Sequence, residues 1–409
     1  MSVAPINNIM VSVEEAENLI RSELRDFGSE TIPFDAALGR VLAEDLLADR
    51  DLPPINRATM DGIAIRFDAF KKGLRTFRIK GTQAAGGIPI EIAKPEECIE
   101  IMTGAAVPGT ADTIVRYEDL DIQNEMVTIQ SDTIRQGQNI HFKGSDKKQG
   151  EIIAASSHVI TPAIIGLAAT TGKSKIRVKK FPRTIIISSG DELTAVDSIP
   201  SDYQLRRSNN YTIAAALQGY GIKADMLHIP DNKEISRQQI SESLNHYDVL
   251  ILTGGVSKGK FDFIPEALES SGVVKIFHKV RQKPGKPFWF GRDSGGSLVF
   301  AFPGNPVSTF LCLYRYFLPW LEASLGLDSP VRSSAVLGTD FSFTPALQYF
   351  LQVQLKCDRE GRLIAFPAEG NGSGDLANLA VSNAFMELPK EENNFTKGGV
   401  YRVWQYGRI

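Results

Sequence analysis

Polar and apolar positions follow three different rhythms along this chain, and each rhythm predicts its own kind of element. Between residues 13 and 28 the apolar Ala16, Leu19, Ile20 and Leu24 recur at helical spacing, and Ser12 with Glu15 forms a capping box, so a helix is expected before Gly28. The stretch "FDAALGRVLAEDLLA" predicts a second helix, which stops at "DLPPIN" because consecutive prolines force an extended path. From residue 51 to about residue 140 the rhythm changes to short alternating runs such as "TFRIKG", "ECIEIMTG" and "MVTIQS", separated by Gly and Pro. A small β domain is expected there. Helical spacing returns at "TPAIIGLAATTG", with Pro162 at an early helical position and Gly172 as a stop. The β domain therefore reads as an insertion, at 51–140, into an elongated N-terminal domain made of residues 1–50 and 141–180.

The third rhythm begins after "KFPR", where continuous apolar runs alternate with helical stretches: "TIIISS", "NNYTIAAALQGYG", "ADMLHI", "EISRQQISESLNHY", "VLILTGG" and "LVFAFPGNP". Runs buried on both faces with helical crossovers predict a parallel sheet, spanning 181–328. The segment "FLCLYRYFLPWL" is core material. Residues 329–409 return to short strands and Gly-rich turns, as in a small β barrel or sandwich. The fold class is therefore α/β and multidomain, which the 409 residues also require, since a single core does not grow to that size.

Composition narrows the function. The 45 basic and 48 acidic residues nearly balance, so no nucleic-acid partner is implied. The three cysteines are far apart and the five histidines scattered, which argues against a thiolate or helix-borne zinc site, so any metal is expected to be oxygen-bound. No run of about 18 apolar residues suggests a membrane span and no leader is evident, so a cytoplasmic protein is expected.

In an open parallel sheet, ligands bind beyond the carboxyl ends of the strands. Three ends here carry unusual loops. "TIIISSGDEL" ends in Ser189, Gly190, Asp191 and Glu192; "VLILTGGVSKGKFD" in Gly254, Gly255, Ser257 and Asp262; "LVFAFPGNPVS" in Pro303, Gly304, Asn305 and Pro306. Gly254, Gly259 and Lys260 imitate a phosphate loop, but Phe261 stands where that loop needs a hydroxyl for magnesium. "HKVRQKPGKP" adds Lys279, Arg281, Lys283 and Lys286. Cations beside carboxylates suit magnesium-assisted phosphate chemistry better than hydride transfer. Taken singly, Asp231 and Asp262 read as helix N-caps, Asp61 as part of an Asp-Gly turn, and Thr103 as the end of a strand. Their joint occurrence favours a site.

"LPPINRATMDGIAIR", "IEIMTGAAVPGTADTIV", "KGSDKKQGE", "ISSGDEL", "RSNNYTIAAALQGYG", "LTGGVSKGKFD", "KPGKP" and "FPGNPVS" occur in order and together resemble the molybdopterin molybdenumtransferase family, which includes bacterial MoeA and the E domain of gephyrin. The resemblance covers essentially the whole chain. It implies an elongated N-terminal domain with an inserted β domain, an α/β domain similar to molybdopterin adenylyltransferases, and a C-terminal β barrel. It also implies a homodimer whose active site joins the α/β domain of one subunit to the first two domains of the other. The implied reaction transfers molybdate onto adenylyl-molybdopterin, supplied by an upstream molybdopterin adenylyltransferase, with Mg2+-dependent release of AMP. By the same resemblance, Asp61, Thr103 and Asp146 are functional positions, and Glu192, Asp231 and Asp262 hold magnesium or orient the attacking group. Lys279 and Lys283 hold molybdate or phosphate oxygens. Ser208, Asn209, Gly254, Gly255, Ser257, Lys286, Pro303, Asn305, Pro306 and Ser373 line the pterin-nucleotide cleft.

Four positions depart from the family pattern. Lys260 replaces a frequent acid and Arg207 a frequent Asp; His141 replaces a frequent arginine, and "INRA" replaces "FDNS". An imidazole at 141 is expected to hold an oxyanion less firmly than a guanidinium at neutral pH. The alternatives are an adenylyltransferase acting with ATP, which would lack the "MDG" and "MTGA" motifs, and a non-catalytic gephyrin-like scaffold, which would have no need of the carboxylates.

Overall fold

The computed structural model describes residues 10–255, 263–327, 333–368 and 370–408. They form two compact units: a larger one of Met1–Thr31, Gly39–Ala43 and Arg177–Ile409, and a smaller one of Ile32–Leu38 and Glu44–Ile176.

The capping box at the start of the larger unit forms as the pattern requires. Ser12 N–H donates to Glu15 Oε2 at 2.6 Å, and Glu15 N–H donates back to Ser12 Oγ at 3.1 Å. The helix spans Val13–Arg21, shorter than expected, so Leu24 lies beyond it and is 41% exposed. The expected second helix is absent. Only a 3-10 turn forms, at Phe34–Ala36, because the buried Val41 and Leu42 are taken up as extended chain: Lys179 N–H donates to Val41 O and Ala43 N–H to Arg177 O. Backbone pairing overrides helical periodicity there.

The smaller unit carries a six-stranded mixed sheet in the order Thr113–Arg116, Gly62–Ile65, Glu97–Ile101, Thr76–Gln83, Met126–Ile129, Leu120–Gln123. Its helix Pro162–Thr170 is capped by Thr161 and stops before Gly172, whose φ of +67° suits glycine.

The second six-stranded sheet, in the larger unit, is ordered Asp225–Ile229, Thr184–Ser189, Val249–Thr253, Leu298–Phe302, Trp289–Arg292, Val274–His278. The first four strands are parallel, as the apolar runs predict. Trp289–Arg292 runs antiparallel to both of its neighbours, Leu298–Phe302 and Val274–His278, because no crossover helix joins it to either. Thr184–Ser189 has its two successors in sequence on opposite sides, so the strand order reverses beside it. One face packs Phe277, Phe288, Phe290, Phe300, Phe302, Phe317 and Trp320 into a single aromatic cluster, with the Phe290 and Phe300 rings 4.8 Å apart.

Five strands then close into a barrel: Gln348–Cys357, Leu363–Pro367, Ser334–Leu337, Val400–Gln405 and Ala384–Leu388, with the last returning to the first. The short strand Gln282–Lys283 runs parallel to Gln348 and Tyr349. This pairing sets "KPGKP" against the barrel wall. Among the described residues no helix is long and apolar enough to cross a membrane.

Candidate active site

Because the four inner strands are parallel, the loops after Ser189, Ile229, Thr253 and Phe302 emerge on one edge of the sheet. Glycine lets two of them nearly touch, since a Cβ on Gly304 would lie 3.5 Å from the Gly254 α-carbon. Around these loops lies a cavity of about 450 Å3, lined by Glu192, Arg206, Arg207, Ser208, Asn209, Gly254, Asn305 and Pro306 among others. The helix Asn209–Gln218 begins at its wall, and Ser208 at its N-cap makes no side-chain capping bond, which leaves first-turn N–H groups suited to an anion.

A hydrogen-bond chain supports the floor of this cavity. Thr253 Oγ1 donates to Asn210 Oδ1 at 3.4 Å, Asn210 Nδ2 donates to Ser188 Oγ at 3.2 Å, and Ser188 Oγ lies 3.1 Å from His228 Nδ1. Burial, and then repulsion from Arg207, hold His228 below its ordinary pKa. Beside this chain the buried hydroxyl of Ser189 has no hydrogen-bond partner among the described residues.

At the rim, Asp191 and Asp231 are tied reciprocally. Asp191 N–H donates to Asp231 Oδ2 at 3.3 Å, and Asp231 N–H donates to Asp191 Oδ1 at 3.1 Å. Asp231 is not the helix N-cap; Asn232 is, through its bond from Ile235 N–H. The Glu192 carboxylate folds over Gly190, where any Cβ would collide with it at 2.2 Å. Both Glu192 and Asp231 therefore flank the Gly190–Asp191 peptide.

A second cavity, of about 310 Å3, lies on the barrel side of the "PGNP" loop and is lined by Lys283, Lys286, Pro303, Asn305, Ser308, Tyr349, Gln352 and Ser373 among others. Asn305 lines both cavities, and its amide donates to Ser373 Oγ at 2.8 Å. No acidic residue lines this second cavity among the described residues, so two lysines dominate its field. The turn that presents them needs Gly285, with φ +86° and room for no Cβ: Gln282 Nε2 would lie at 2.6 Å and Cys312 Sγ at 3.0 Å. Tyr316 donates its hydroxyl to Gln282 Oε1 beneath the turn.

The expected residues thus divide into groups. Glu192, Ser208, Asn209, Gly254 and Pro306 share the first cavity, with Asp231 and Gly255 close by; Lys283, Lys286, Pro303 and Ser373 share the second. Lys279 lines neither, and has a left-handed backbone at φ +84°. Ser257, Lys260, Phe261 and Asp262 lie outside the described residues.

Asp61, Thr103 and Asp146 belong to the smaller unit. Asp61 Oδ1 accepts from Thr103 N–H at 2.6 Å and from Thr103 Oγ1 at 2.8 Å, and these two bonds hold its pKa below the usual carboxylate value. Asp146 accepts from His141 Nε2 at 2.6 Å. Across the strand pair from His141 stands Arg57, which supplies a guanidinium that position 141 lacks. Sequence reading missed Gln352, whose buried Oε1 has no hydrogen-bond partner among the described residues, and also His228 and Arg57. Only the "INRA" departure gave a signal, and only for Arg57.

An open α/β sheet with glycine loops at a reversal of strand order, beside a lysine-bearing turn on a β barrel, places the chain in the class of α/β folds that carry their ligand site at the sheet's carboxyl edge. Three family models match: the MoeA N-terminal region (domain I and II) over residues 11–172, a probable molybdopterin binding domain over 185–323, and the MoeA C-terminal region (domain IV) over 334–406. A molybdopterin molybdenumtransferase of Synechocystis sp. is 39% identical, covering 97% of this chain and 100% of that one. One from Staphylococcus epidermidis is 29% identical over 96% of this chain and 95% of its own. The crystal structure of a molybdopterin biosynthesis MoeA protein from Pyrococcus horikoshii superposes with a TM-score of 0.83 at 25% identity, covering 98% of this chain and 100% of that one. The chain belongs to the molybdopterin molybdenumtransferase (MoeA) family.

Proposed function

We propose that this protein transfers molybdate onto the dithiolene of adenylyl-molybdopterin, releasing AMP and forming molybdenum cofactor. The observation that carries the reading is the pair of cavities sharing Asn305, one with a glycine loop, an uncapped helix start and carboxylates at its rim, the other with two lysines. The first suits a nucleotide phosphate. Arg206 and Arg207 offset its charge, and the backbone N–H groups near Ser208 and Gly254 hold its oxygens. The second suits molybdate, held by Lys283 and Lys286, with Ser373 and Gln352 able to hydrogen-bond its oxygens. Asn305 keeps the two ligands in register, so that little freedom is lost when they react.

Magnesium belongs to the proposal. Glu192 and Asp231 offer hard carboxylate oxygens on either side of one peptide, with Asp262 a third ligand by resemblance. Magnesium takes few protein carboxylates and completes its shell with substrate phosphates and water, which fits a donor set of this kind. When bound, Mg2+ supplies positive charge to the phosphate oxygens of the adenylyl link. Further parts of the proposal are a homodimer, in which Asp61, Thr103 and Asp146 of one subunit complete the site of the other, an upstream molybdopterin adenylyltransferase, and a cytoplasmic location.

The test uses purified protein with adenylyl-molybdopterin, Mg2+ and molybdate. AMP release that requires molybdate, and that is lost in Asp61→Ala, supports the reading. ATP consumption with unmodified molybdopterin would favour an adenylyltransferase, and no release from folded protein would favour a scaffold.

A further inference from the structure

Arg57 and His141 face each other across the antiparallel pair formed by Arg57–Ala58 and Ile140–His141. Arg57 Nε and Nη2 lie 3.3 and 3.1 Å from His141 Nδ1, and His141 Nε2 lies 2.6 Å from Asp146 Oδ1. A guanidinium only donates, so Nδ1 must accept, and Nε2 carries the hydrogen that Asp146 receives. The tautomer is thereby set by Arg57 on one side and Asp146 on the other. Asp146 is in turn held below the usual carboxylate range, first by the His141 hydrogen bond.

This arrangement leaves Arg57 under-used. One imidazole lone pair cannot occupy five N–H donors, and among the described residues no carboxylate forms an ion pair with this guanidinium. Arg57 lines a cavity of about 360 Å3 together with Pro53, Pro54, Lys147 and Leu167. Asp146, the acidic residue in that lining, is already engaged by His141. Two cations and an apolar wall therefore face the same space.

We propose that Arg57 binds an oxyanion of the phosphate class, carried by the substrate of the proposed reaction, and that His141 and Asp146 are its positioning residues. This rests on the proposed reaction. Arg57 presents a planar fork suited to two oxygens of one phosphate, while the imidazole pins the guanidinium from the strand side. Lys147 adds charge, and the proline and leucine side chains accept the apolar part of the ligand.

The test combines kinetics with nitrogen-15 spectroscopy of the full-length protein. In Arg57→Gln, KM for adenylyl-molybdopterin is expected to rise roughly ten- to a hundredfold, as for loss of a charged hydrogen-bonding partner, with kcat little changed. Arg57→Lys, which keeps the charge without the fork, should fall between the two. The His141 ring should report Nε2–H, and titration with inorganic phosphate should shift its Nδ1 resonance in the wild type but not in Arg57→Gln. If the wild type turns over and Arg57→Gln keeps its KM, the inference is overturned while the reaction stands. If the wild type does not turn over, the reaction is overturned, and the inference is then decided by the phosphate titration: no shift overturns it. A ring protonated at Nδ1 alone overturns the positioning role.

Discussion

At the scale of single residues, the positions that matter most are those where a side chain, or its absence, is dictated by one neighbour. Gly62 follows Asp61 and sits between two paired strands, where an added Cβ would meet Val115 O at 2.0 Å. Gly62→Ala is therefore expected to destabilise the protein by roughly 1–3 kcal/mol in urea unfolding, because backbone in mid-sheet cannot yield. A loss below the error of the measurement would contradict that. His228 gives a pH dependence. Its folded pKa lies below the ordinary 6.5, so as pH falls below that value the unfolded chain takes up the proton first. The stability due to the neutral imidazole, complete above the unfolded pKa, is lost as pH falls toward the folded one. Between about pH 7.5 and about pH 5.5 the thermal midpoint of the wild type should drop more than that of His228→Asn; parallel curves would count against it. Neither His228 nor Gln352 was legible in the sequence. Each lies within a strand that carries no motif, and its neighbours come from remote segments brought close only by the folded sheet or barrel.

At the scale of elements, what was legible had local causes. The first helix shows in the sequence because the capping box and the apolar spacing agree, and the sheet-edge loops show because glycines and charges interrupt apolar runs. The failed helix at "FDAALGRVLAEDLLA" has the right spacing, but residues 41–43 gain more as extended chain, with Val41 O accepting from Lys179 N–H and Ala43 N–H donating to Arg177 O. The antiparallel strand Trp289–Arg292 escaped notice for the opposite reason, since strand direction depends on the connection and not on the run itself. The "KPGKP" turn can be tested as an element. Gly285→Ala forces a Cβ against Gln282 and Cys312 at a left-handed φ, so the turn must shift and carry Lys283 and Lys286 with it. KM for molybdate should rise while KM for adenylyl-molybdopterin changes less; equal rises would mean that the second cavity does not hold the oxyanion.

At the scale of the whole molecule, the proposed dimer makes a prediction that a monomeric site does not. Asp61→Ala and Glu192→Gln remove groups from different halves of the composite site. Randomly mixed subunits should regain about one quarter of wild-type activity, because half of the dimers are hybrids and each hybrid carries one intact site. No recovery after verified exchange would contradict the shared site. The central claim is that the lysine cavity and the nucleotide cavity serve one coupled reaction. Its most direct measurement is a single-turnover experiment on adenylyl-molybdopterin with Mg2+ and molybdate, quantifying AMP and cofactor-bound molybdenum in the same sample. The account predicts equal amounts of both, with each falling in step in Lys283→Ala. Release of AMP without incorporation of molybdenum would contradict it.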